Sequence, residues 1–334
     1  MKIAISGLNN TDNPAPGVGV AKGLRGYDLI GLSYDVNEPG IYQGLFEHVF
    51  LMPFPSVGWE DVKARLLEIK EKTGLDVLIP TLDAELPLLI KYQDELENLG
   101  IKTLLPSLEQ FKLREKANLA EFCEKLGVKY PKTIKIASLE DLYEAVKEIG
   151  FPCMIKGNYY KAYKALNIDE AIEFYYKISN EWGFPLLVQE IVSGVEVNFV
   201  GVSNEKLLGG VGIKKLTTTE LGKVWEAISI KNEKLFELTH NFIELSKWRG
   251  AFEVEAIATP NEIYLIEINP RFPAWVNFAT ELGVNLPKMM VDVIEGKEVK
   301  KQIEYPENKL YVRYVEEAVV DFDMYKKLLA KKEI

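Results

Sequence analysis

Short apolar runs alternate with longer amphipathic segments along residues 1–107. An apolar run of about four to eight residues predicts a buried strand, whereas apolar residues at every third or fourth position predict a helix that faces a core. The predicted strands are Lys2–Ser6, Asp28–Ser33, 76–80 and 102–105, and the predicted helices are 17–25, Trp59–Thr73 and 85–96. This alternation predicts a parallel sheet covered on both faces, with ligands beyond the carboxyl ends of its strands.

The pattern changes twice further along the chain. Residues 108–188 predict a small αβ layer, with helices at 108–126, Leu139–Ile149 and 169–182 and strands at Thr133–Ile136, 153–156 and Leu186–Glu190. Residues 189–334 are richer in alternating segments, which predict antiparallel strands. These strands are 195–202, 207–215, 251–258 and Ile263–Asn269, with a helix at 234–248. We therefore predict three domains, 1–107, 108–188 and 189–334, in a fold that combines α/β and α+β classes.

The composition is that of a soluble globular protein. The chain has 334 residues, of which 47% are hydrophobic and 27% are charged, and its formal net charge is −10. This acidic balance argues against binding to nucleic acid or to an anionic membrane, although a local basic cluster or metal ions still allow a phosphate ligand. Two cysteines provide neither a disulfide framework nor a thiolate zinc site. Without a signal peptide or a membrane-spanning apolar run, we expect a cytoplasmic protein.

The strongest chemical signal lies in two predicted strands joined by a turn at 260–261. In an extended strand Glu267 and Asn269 point to one face, and Glu253 and Glu255 likewise share a face. Paired as a hairpin, the strands bring carboxylates and an amide oxygen together, and such hard oxygen ligands suit Mg²⁺. Arg271 follows at once and is a rigid donor for phosphate oxygens. The alternative is a hairpin with solvated acidic residues.

A second signal is the segment 187–196, where an apolar strand ends at Glu190 and the chain re-enters a strand after Gly194. Such a hinge offers a side-chain acceptor and backbone groups to an adenine edge, and Glu196 lies within reach of a ribose. An ordinary β-turn with surface acids is the alternative.

Two lysines form a third signal. Lys116 lies in the predicted helix 108–126, and Lys156 ends the apolar strand 153–156. A lysine at the end of a buried strand is satisfied by a phosphate, because its ammonium group has three donors and no acceptor. Each is otherwise a solvated surface lysine.

Taken in order, these pieces resemble the ATP-grasp superfamily, nearest to its carbamoyl-phosphate-synthase-like and biotin-carboxylase-like branch. The resemblance covers nearly the whole chain, and its specific part is the run Glu267-Ile268-Asn269-Pro270-Arg271. It implies an N-terminal parallel αβ domain (the pre-ATP-grasp domain) followed by a two-lobed ATP-grasp module, whose lid is 108–188 and whose antiparallel-sheet part is 189–334. Proteins of this superfamily bind ATP between two αβ lobes.

The resemblance also implies residue roles. Lys116 and Lys156 would hold phosphates, Glu190 and the Val192 backbone would hold adenine, and Glu196 would hold the ribose. Metal ions, Mg²⁺ or Mn²⁺, would bind Glu255, Glu267 and Asn269. Arg271, with Lys156, would stabilise the transferring phosphoryl group.

The implied activity is that of a ligase, which phosphorylates a carboxylate of a small molecule or peptide with ATP and joins it to an amine. One departure concerns residues 156–164, where a glycine-rich flap is usual but this chain has one glycine and three tyrosines. An alternative is therefore a nucleotide-binding protein of weak or no catalysis that acts as a partner or scaffold. A second alternative is a carbamate- or carboxylate-phosphorylating homologue of carbamoyl phosphate synthase. A homodimer stays open.

Four further residues are weaker substrate-binding candidates. Asp83 and Glu85 lie beyond the end of the predicted strand 76–80, where the alternative is the N-cap of the next helix. Lys215 flanks a loop at 216–224 that either covers the site or is an exposed hairpin tip. Trp275 either walls the pocket or belongs to the core. Residues 7–19 do not match a dinucleotide-binding glycine pattern, because the gap after Gly7 is too long.

Overall fold

The computed structural model of the chain describes residues 1–157 and 161–334, apart from the side chains of Lys116 and Ala117. The chain divides into two compact units. The first unit comprises Met1–Lys112, Val197–Val254 and Ile268–Ile334, and the second comprises Leu113–Glu196 and Glu255–Glu267. Both units are therefore built from segments that are distant in the sequence.

The N-terminal part of the first unit is a parallel sheet with helices, as predicted. Its elements are β1 (Lys2–Ser6), α1 (Gly17–Gly23), β2 (Asp28–Ser33), β3 (His48–Leu51), α2 (Trp59–Thr73), β4 (Leu75–Ile79), α3 (Leu86–Lys91), α4 (Gln93–Asn98) and α5 (Leu108–Leu113). The strand order is β3-β2-β1-β4, and every pair is parallel. The chain end adds an antiparallel bridge outside β3, between Phe50 and Glu333. Helix α2 buries Val62, Leu66 and Ile69 and ends at Gly74, whose φ of 76° is left-handed.

Three predicted elements of this region differ in the structure. The predicted strand 102–105 is reduced to one bridge between Lys102 and Val77, because Leu104 and Leu105 leave the sheet to pack into two different core clusters. The predicted helix 85–96 is divided at Tyr92, whose ring stacks on Trp59 with centroids 4.7 Å apart. The predicted helix 108–126 is interrupted at 114–115, where the backbone becomes extended before α6 begins.

The second unit contains a small antiparallel sheet covered by helices. Its elements are α6 (Lys116–Leu126), β5 (Thr133–Ile136), α7 (Leu139–Ile149), β6 (Cys153–Gly157), β7 (Ala162–Ala165), α8 (Ile168–Trp182) and β8 (Leu186–Glu190). The strand order is β5-β8-β6-β7. The Ser138 side chain caps α7 in a capping box with Asp141, and the Asn167 side chain caps α8. These caps fix where each helix begins, and β7 is a strand that the sequence pattern did not predict.

The remaining elements form a long antiparallel sheet and four helices. They are β9 (Val195–Asn204), β10 (Leu207–Thr218), β11 (Val224–Ile230), α9 (Glu233–Ser246), β12 (Arg249–Ala258), β13 (Ile263–Asn269), α10 (Val276–Glu281), α11 (Leu286–Ile294), β14 (Leu310–Val312) and α12 (Phe322–Lys331). The strand order is β13-β12-β9-β10-β11-β14, and β12 and β13 each continue from one unit into the other. A Cβ at Gly210 on β10 would lie 2.2 Å from the Phe199 ring, so this strand needs glycine there.

Two predictions about the whole chain concern membranes and cysteines. Among the described helices, none combines the length and the apolar character that crossing a membrane requires. Cys123 and Cys153 are both buried free thiols. Burial raises the pKa of the Cys123 thiol to about 12 and that of Cys153 to about 11, so both are protonated near neutral pH.

Candidate active site

A buried carboxylate, Glu253, lies at the centre of a hydrogen-bonded cluster in the first unit. Glu253 stands on β12 and is only 3% exposed. Its Oε1 accepts hydrogen bonds from Asn198 Nδ2 and Trp275 Nε1, both at 2.8 Å. Its Oε2 accepts a hydrogen bond from Asn269 Nδ2 at 3.1 Å and lies 3.9 Å from Arg271 Nη1. Strands β9, β12 and β13 are neighbours in the sheet, so three of these side chains meet across adjacent strands.

The guanidinium of Arg271 links the end of β13 to the loop that follows β4. Its Nε donates to Asp83 Oδ2 at 3.1 Å and its Nη2 donates to Asn269 Oδ1 at 3.3 Å. Its Nη1 donates to the backbone oxygen of Phe272 at 3.2 Å. Because a guanidinium is planar and rigid, contacts on several edges fix its plane. Arg271 is 9% exposed, so this cation is held in one orientation at the edge of the core.

A second polar cluster, in the second unit, surrounds Lys156 on β6. The Lys156 Nζ donates to Gln189 Oε1 at 2.5 Å, and Gln189 Nε2 donates to Thr133 Oγ1 at 2.7 Å. The pairing of Met154 with Gln189 in the antiparallel sheet places Lys156 and Gln189 on one face as diagonal neighbours. A half-buried ammonium group is therefore held on the face of this sheet by a neutral amide oxygen.

The hinge after β8, residues 190–196, is hydrogen-bonded at Glu190 and closely packed at Gly194. Glu190 Oε1 accepts from the Lys132 backbone N–H at 2.7 Å, and the Glu190 N–H donates to the Lys132 oxygen at 2.9 Å. At Gly194 a Cβ would lie 2.5 Å from Ile257 Cγ2, so the hinge passes too close to its neighbour for a larger residue. Val192 is half-buried and Glu196 is exposed. The hinge is thus hydrogen-bonded at Glu190, closely packed at Gly194 and accessible at positions between them.

Comparisons with known proteins bear on the same segments. A family model described as "ATP-grasp in the biosynthetic pathway with Ter operon" matches residues 185–318. The large chain of carbamoyl phosphate synthase from Clostridium acetobutylicum is 24% identical over 261 residues, which are 71% of this chain and 24% of that protein. Residues 185–318 are thus similar to the ATP-grasp family, and a larger part of the chain is similar to a carbamoyl phosphate synthase large chain.

Solved structures confirm the ATP-grasp fold. The biotin carboxylase domain of 2-oxoglutarate carboxylase from Hydrogenobacter thermophilus matches with a TM-score of 0.68 at 16% identity, over 92% of this chain and 73% of that one. N5-carboxyaminoimidazole ribonucleotide synthetase from Thermus thermophilus matches with a TM-score of 0.65 at 16% identity, over 90% and 79% of the two chains. The chain spans about a quarter of the length of the curated relatives it matches.

The metal ligands predicted from the ATP-grasp resemblance are two carboxylates and one amide. Glu255 and Glu267 are half-buried and belong to the second unit, while Asn269 is buried in the first. Within residues 1–157 and 161–334, no three His, Cys, Asp or Glu side chains are grouped as a ready-made metal site. Carboxylate and amide oxygens are hard donors of the kind that Mg²⁺ takes, and one or two carboxylates suffice when phosphates and water complete its shell, so the chemistry of these residues fits the ion.

Two other predicted nucleotide contacts lie partly or wholly outside the described residues. The backbone of Lys116 begins α6, but its side chain is outside the description. Residues 158–160 of the tyrosine-containing flap lie wholly outside the described residues. The roles of these positions therefore stay predictions.

The four weaker candidates take different positions. Asp83 contacts Arg271, as described above, whereas Glu85 is buried and accepts from protein donors with both oxygens. These donors are the Ser6 and Tyr34 hydroxyls and the Thr81 and Leu82 N–H groups. Trp275 is 2% exposed with its N–H on Glu253, which favours the core alternative. Lys215 is half-buried on β10, which continues past it to Thr218, so the turn is shorter than predicted.

Two residues with buried or half-buried polar contacts, Asn198 and Arg313, were not singled out from the sequence. Asn198 is 1% exposed on β9 and looks like any polar residue in an apolar strand. Arg313 follows β14 and donates to Asn10 Oδ1 at 2.8 Å and to the Ala274 oxygen at 3.1 Å. A single arginine in a charged segment gives no signal of this contact. Glu253 did carry a signal, since the alternation placed it beside Glu255.

Proposed function

We propose that this chain is an ATP- and Mg²⁺-dependent ligase that activates a carboxylate as an acyl phosphate and joins it to an amine. The observation that carries the proposal is the buried Arg271 guanidinium, held by Asp83 and Asn269 directly after β13 in an ATP-grasp fold. The structural neighbour from Hydrogenobacter thermophilus was solved with MgADP and bicarbonate, which supports the choice of nucleotide, metal and carboxylate-type substrate. The carboxylate and the amine are a small molecule or a peptide.

The proposed reaction has two steps. A carboxylate oxygen attacks the γ-phosphorus of ATP, the bond to the bridging oxygen breaks, and ADP leaves. The amine then attacks the acyl carbon, phosphate leaves with the bonding pair, and the amine proton passes to solvent. Such phosphoryl transfer depends mainly on positioning and on charge neutralisation, and it needs little covalent chemistry from the protein.

The proposed roles follow the ATP-grasp motif. For the nucleotide, Lys156 and Lys116 hold phosphates, Glu190 and the Val192 backbone hold adenine, and Glu196 holds the ribose. For the metal, the ligands of Mg²⁺ are Glu255, Glu267 and Asn269. When bound, Mg²⁺ supplies positive charge against the phosphate oxygens. Arg271 stabilises the transferring group, and Asp83 orients its guanidinium through Nε. The proposal keeps the three predicted domains, with 1–107 as the N-terminal domain, 108–188 as the lid and 189–334 as the C-terminal part.

Substrate-dependent ADP release tests the proposal. A thermal-shift screen of ATP·Mg²⁺ with amino acids, dipeptides and small dicarboxylates first finds the co-substrates, because ligands that bind the folded state raise its melting temperature. Glu267→Ala is then expected to abolish ADP release with the best pair. Glu262→Ala, on an exposed residue at the start of the same strand region, is the matched control and keeps full turnover. Full turnover by Glu267→Ala would contradict the assignment.

A second candidate function is nucleotide binding without turnover. It is favoured by the single glycine and three tyrosines in residues 157–164, where backbone amides would otherwise close on the phosphates. This candidate predicts calorimetric ATP binding with no ADP release against any acid and amine. The carbamate alternative is separated by including bicarbonate with ammonia in the same panel, since it predicts turnover with that pair alone.

The proposed reaction also bears on location and assembly. Use of ATP accords with the predicted cytoplasmic location. The Hydrogenobacter thermophilus domain was solved as a dimer, so a homodimer of this chain stays part of the proposal. Size-exclusion chromatography with light scattering tests it, and a monomer at micromolar concentration would refute it.

A further inference from the structure

Glu253 is a buried carboxylate that the predicted metal set leaves out. Its oxygens accept hydrogen bonds from three neutral side-chain donors, those of Asn198, Asn269 and Trp275. Burying a carboxylate is unfavourable unless it is hydrogen-bonded or paired, and apolar residues of similar volume fill a core better. We therefore look for the reason for a carboxylate at position 253 in the neighbouring side chains that it orients.

The first of these groups is the Asn269 amide. An ionised carboxylate only accepts hydrogen bonds, whereas an amide has one donating end and one accepting end. Glu253 therefore selects the orientation in which Asn269 Nδ2 points to it, at 3.1 Å, and Oδ1 points away, towards Arg271 Nη2 at 3.3 Å. The oxygen of Asn269 is the atom that a hard metal ion would use. Arg271 Nη2 can only donate and favours the same orientation, so Glu253 and Arg271 together hold the Asn269 oxygen on that side.

The second group is the Arg271 guanidinium. Asp83 holds its Nε edge at 3.1 Å, and Glu253 lies 3.9 Å from Nη1. The two carboxylates approach from different elements, the loop after β4 and the strand β12. Their combined effect is to fix the plane of the guanidinium as well as its position.

We propose that Glu253 is a positioning residue, which fixes the Asn269 oxygen and the Arg271 guanidinium for metal–nucleotide binding without contacting either ligand. The proposal rests on the proposed function and deepens it. It assigns to this chain a carboxylate that acts through its neighbours, in the way that outer partners orient the ligands of other metal sites.

The test compares Glu253→Gln with a matched control. Glu253→Gln keeps the size of the side chain but can donate to Asn269 and carries no charge, so it removes the contribution of Glu253 to the orientation of both the amide and the guanidinium. Glu38→Gln is the control, because Glu38 is also a largely buried carboxylate of the first unit, and it accepts from Ser33 Oγ at 2.8 Å and from the Leu8 N–H at 3.1 Å. The readouts are Mn²⁺ affinity of the ADP complex by electron paramagnetic resonance and metal-free ADP affinity by calorimetry.

The expected result is specific to the metal. Glu253→Gln lowers Mn²⁺ affinity by about 10- to 100-fold, the usual effect of losing an outer partner of a metal site, and does not weaken metal-free ADP binding. Glu38→Gln leaves both affinities unchanged. Glu253→Asp, which keeps an acceptor-only group, lies between the wild type and the Gln variant. Should Glu253→Gln fail to fold, Glu253→Asp carries the test, because its shorter side chain withdraws the acceptor from Asn269 Nδ2; a lower Mn²⁺ affinity with unchanged metal-free ADP affinity is then expected.

Two results would overturn the positioning role, and a third would overturn the proposed function. Wild-type Mn²⁺ affinity in a folded Glu253→Gln protein, or in Glu253→Asp where only that variant folds, overturns the positioning role and leaves the proposed function intact. An equal loss of metal-free ADP binding in Glu253→Gln also overturns it, because general damage to the fold would then explain the result. A wild-type protein that binds no Mn²⁺ with ADP overturns the proposed function itself.

Discussion

Glu85 offers the sharpest test of how the carboxyl ends of the parallel strands are held. The residue was a candidate for substrate recognition, but its oxygens accept from four protein donors. The Thr81 N–H lies at 2.8 Å, the Leu82 N–H at 2.9 Å and the Tyr34 hydroxyl at 2.8 Å, and the Ser6 hydroxyl is the fourth. We therefore expect Glu85 to determine the stability of the loop between β4 and α3, residues 80–85.

The magnitude follows from the donors that a substitution leaves unpaired. Glu85→Leu removes an acceptor of two backbone N–H groups, of which the Thr81 N–H keeps Ser6 Oγ at 2.9 Å and the Leu82 N–H loses its acceptor. One buried unpaired donor costs about 1–3 kcal/mol, so the expected loss of unfolding free energy is about 1–3 kcal/mol. Glu85→Gln is expected to cost much less, because its amide oxygen can serve the two backbone donors while its NH₂ group donates to the Tyr34 hydroxyl, which also accepts. Urea denaturation measures both values, and the slope of the transition should not change.

The same pair of variants predicts a pH dependence. Burial raises the pKa of the Glu85 carboxyl above its ordinary value. For an acid whose pKa is higher in the folded state, the contribution to stability is fully present below the unfolded pKa and is lost as pH rises through the folded pKa. The stability of the wild type relative to Glu85→Gln should therefore fall as pH rises from the acid side towards neutrality. A loss below about 1 kcal/mol for Glu85→Leu, or a pH-independent difference, would refute this account.

Four further results are expected. Arg271→Lys should lower substrate-dependent ADP release by about 100-fold or more, because a lysine cannot reproduce the fork of contacts; a rate near that of the wild type would contradict this role. Leu66→Ala, at a 1% exposed position of α2, should cost about 2–5 kcal/mol in urea denaturation, whereas Leu67→Ala, at a 38% exposed position, should cost far less. Ser138→Ala should cost about 1 kcal/mol by removing the capping box of α7, and an unchanged midpoint would show that the cap is dispensable. Removing Mg²⁺ should weaken ATP binding by about tenfold or more in calorimetry, since the phosphates then meet uncompensated carboxylates.

Most of the fold was predictable because local signals agreed with the tertiary structure. Helix α2 has a strong apolar period and a glycine at its end, and its predicted bounds match. The predictions failed where long-range packing decided the outcome. Leu104 and Leu105 look like part of a strand, yet each is needed in a different core cluster, so the chain leaves the sheet. The stacking of Tyr92 on Trp59 likewise accompanies a break in the predicted helix 85–96 that no local pattern announces.

The candidate site shows the same limit at the level of side chains. The alternation along β12 placed Glu253 and Glu255 on one face, but it did not tell which of them would be buried against Asn269. That difference comes from Asn198 on β9 and from Trp275 after β13, which donate to Glu253 from distant parts of the sequence. A strand pattern gives the face of a residue, whereas its role depends on the partners that other strands bring.

The charges around Arg271 connect the acidic composition with the proposed need for a metal. The chain carries a formal net charge of −10, and of the two acids nearest to this guanidinium Asp83 is half-buried and Glu253 is buried. Asp83 and Glu253 lie 3.1 and 3.9 Å from the guanidinium, so one positive charge faces two negative charges when all three are ionised. A polyphosphate approaching this cluster alone would meet a net negative charge in a partly desolvated place, where charge interactions are poorly screened. A divalent cation reverses that balance, and the buried carboxylates then favour the metal–nucleotide complex over the bare nucleotide. The same pair of acids thus accounts both for the positioning of Arg271 and for the proposed requirement for Mg²⁺.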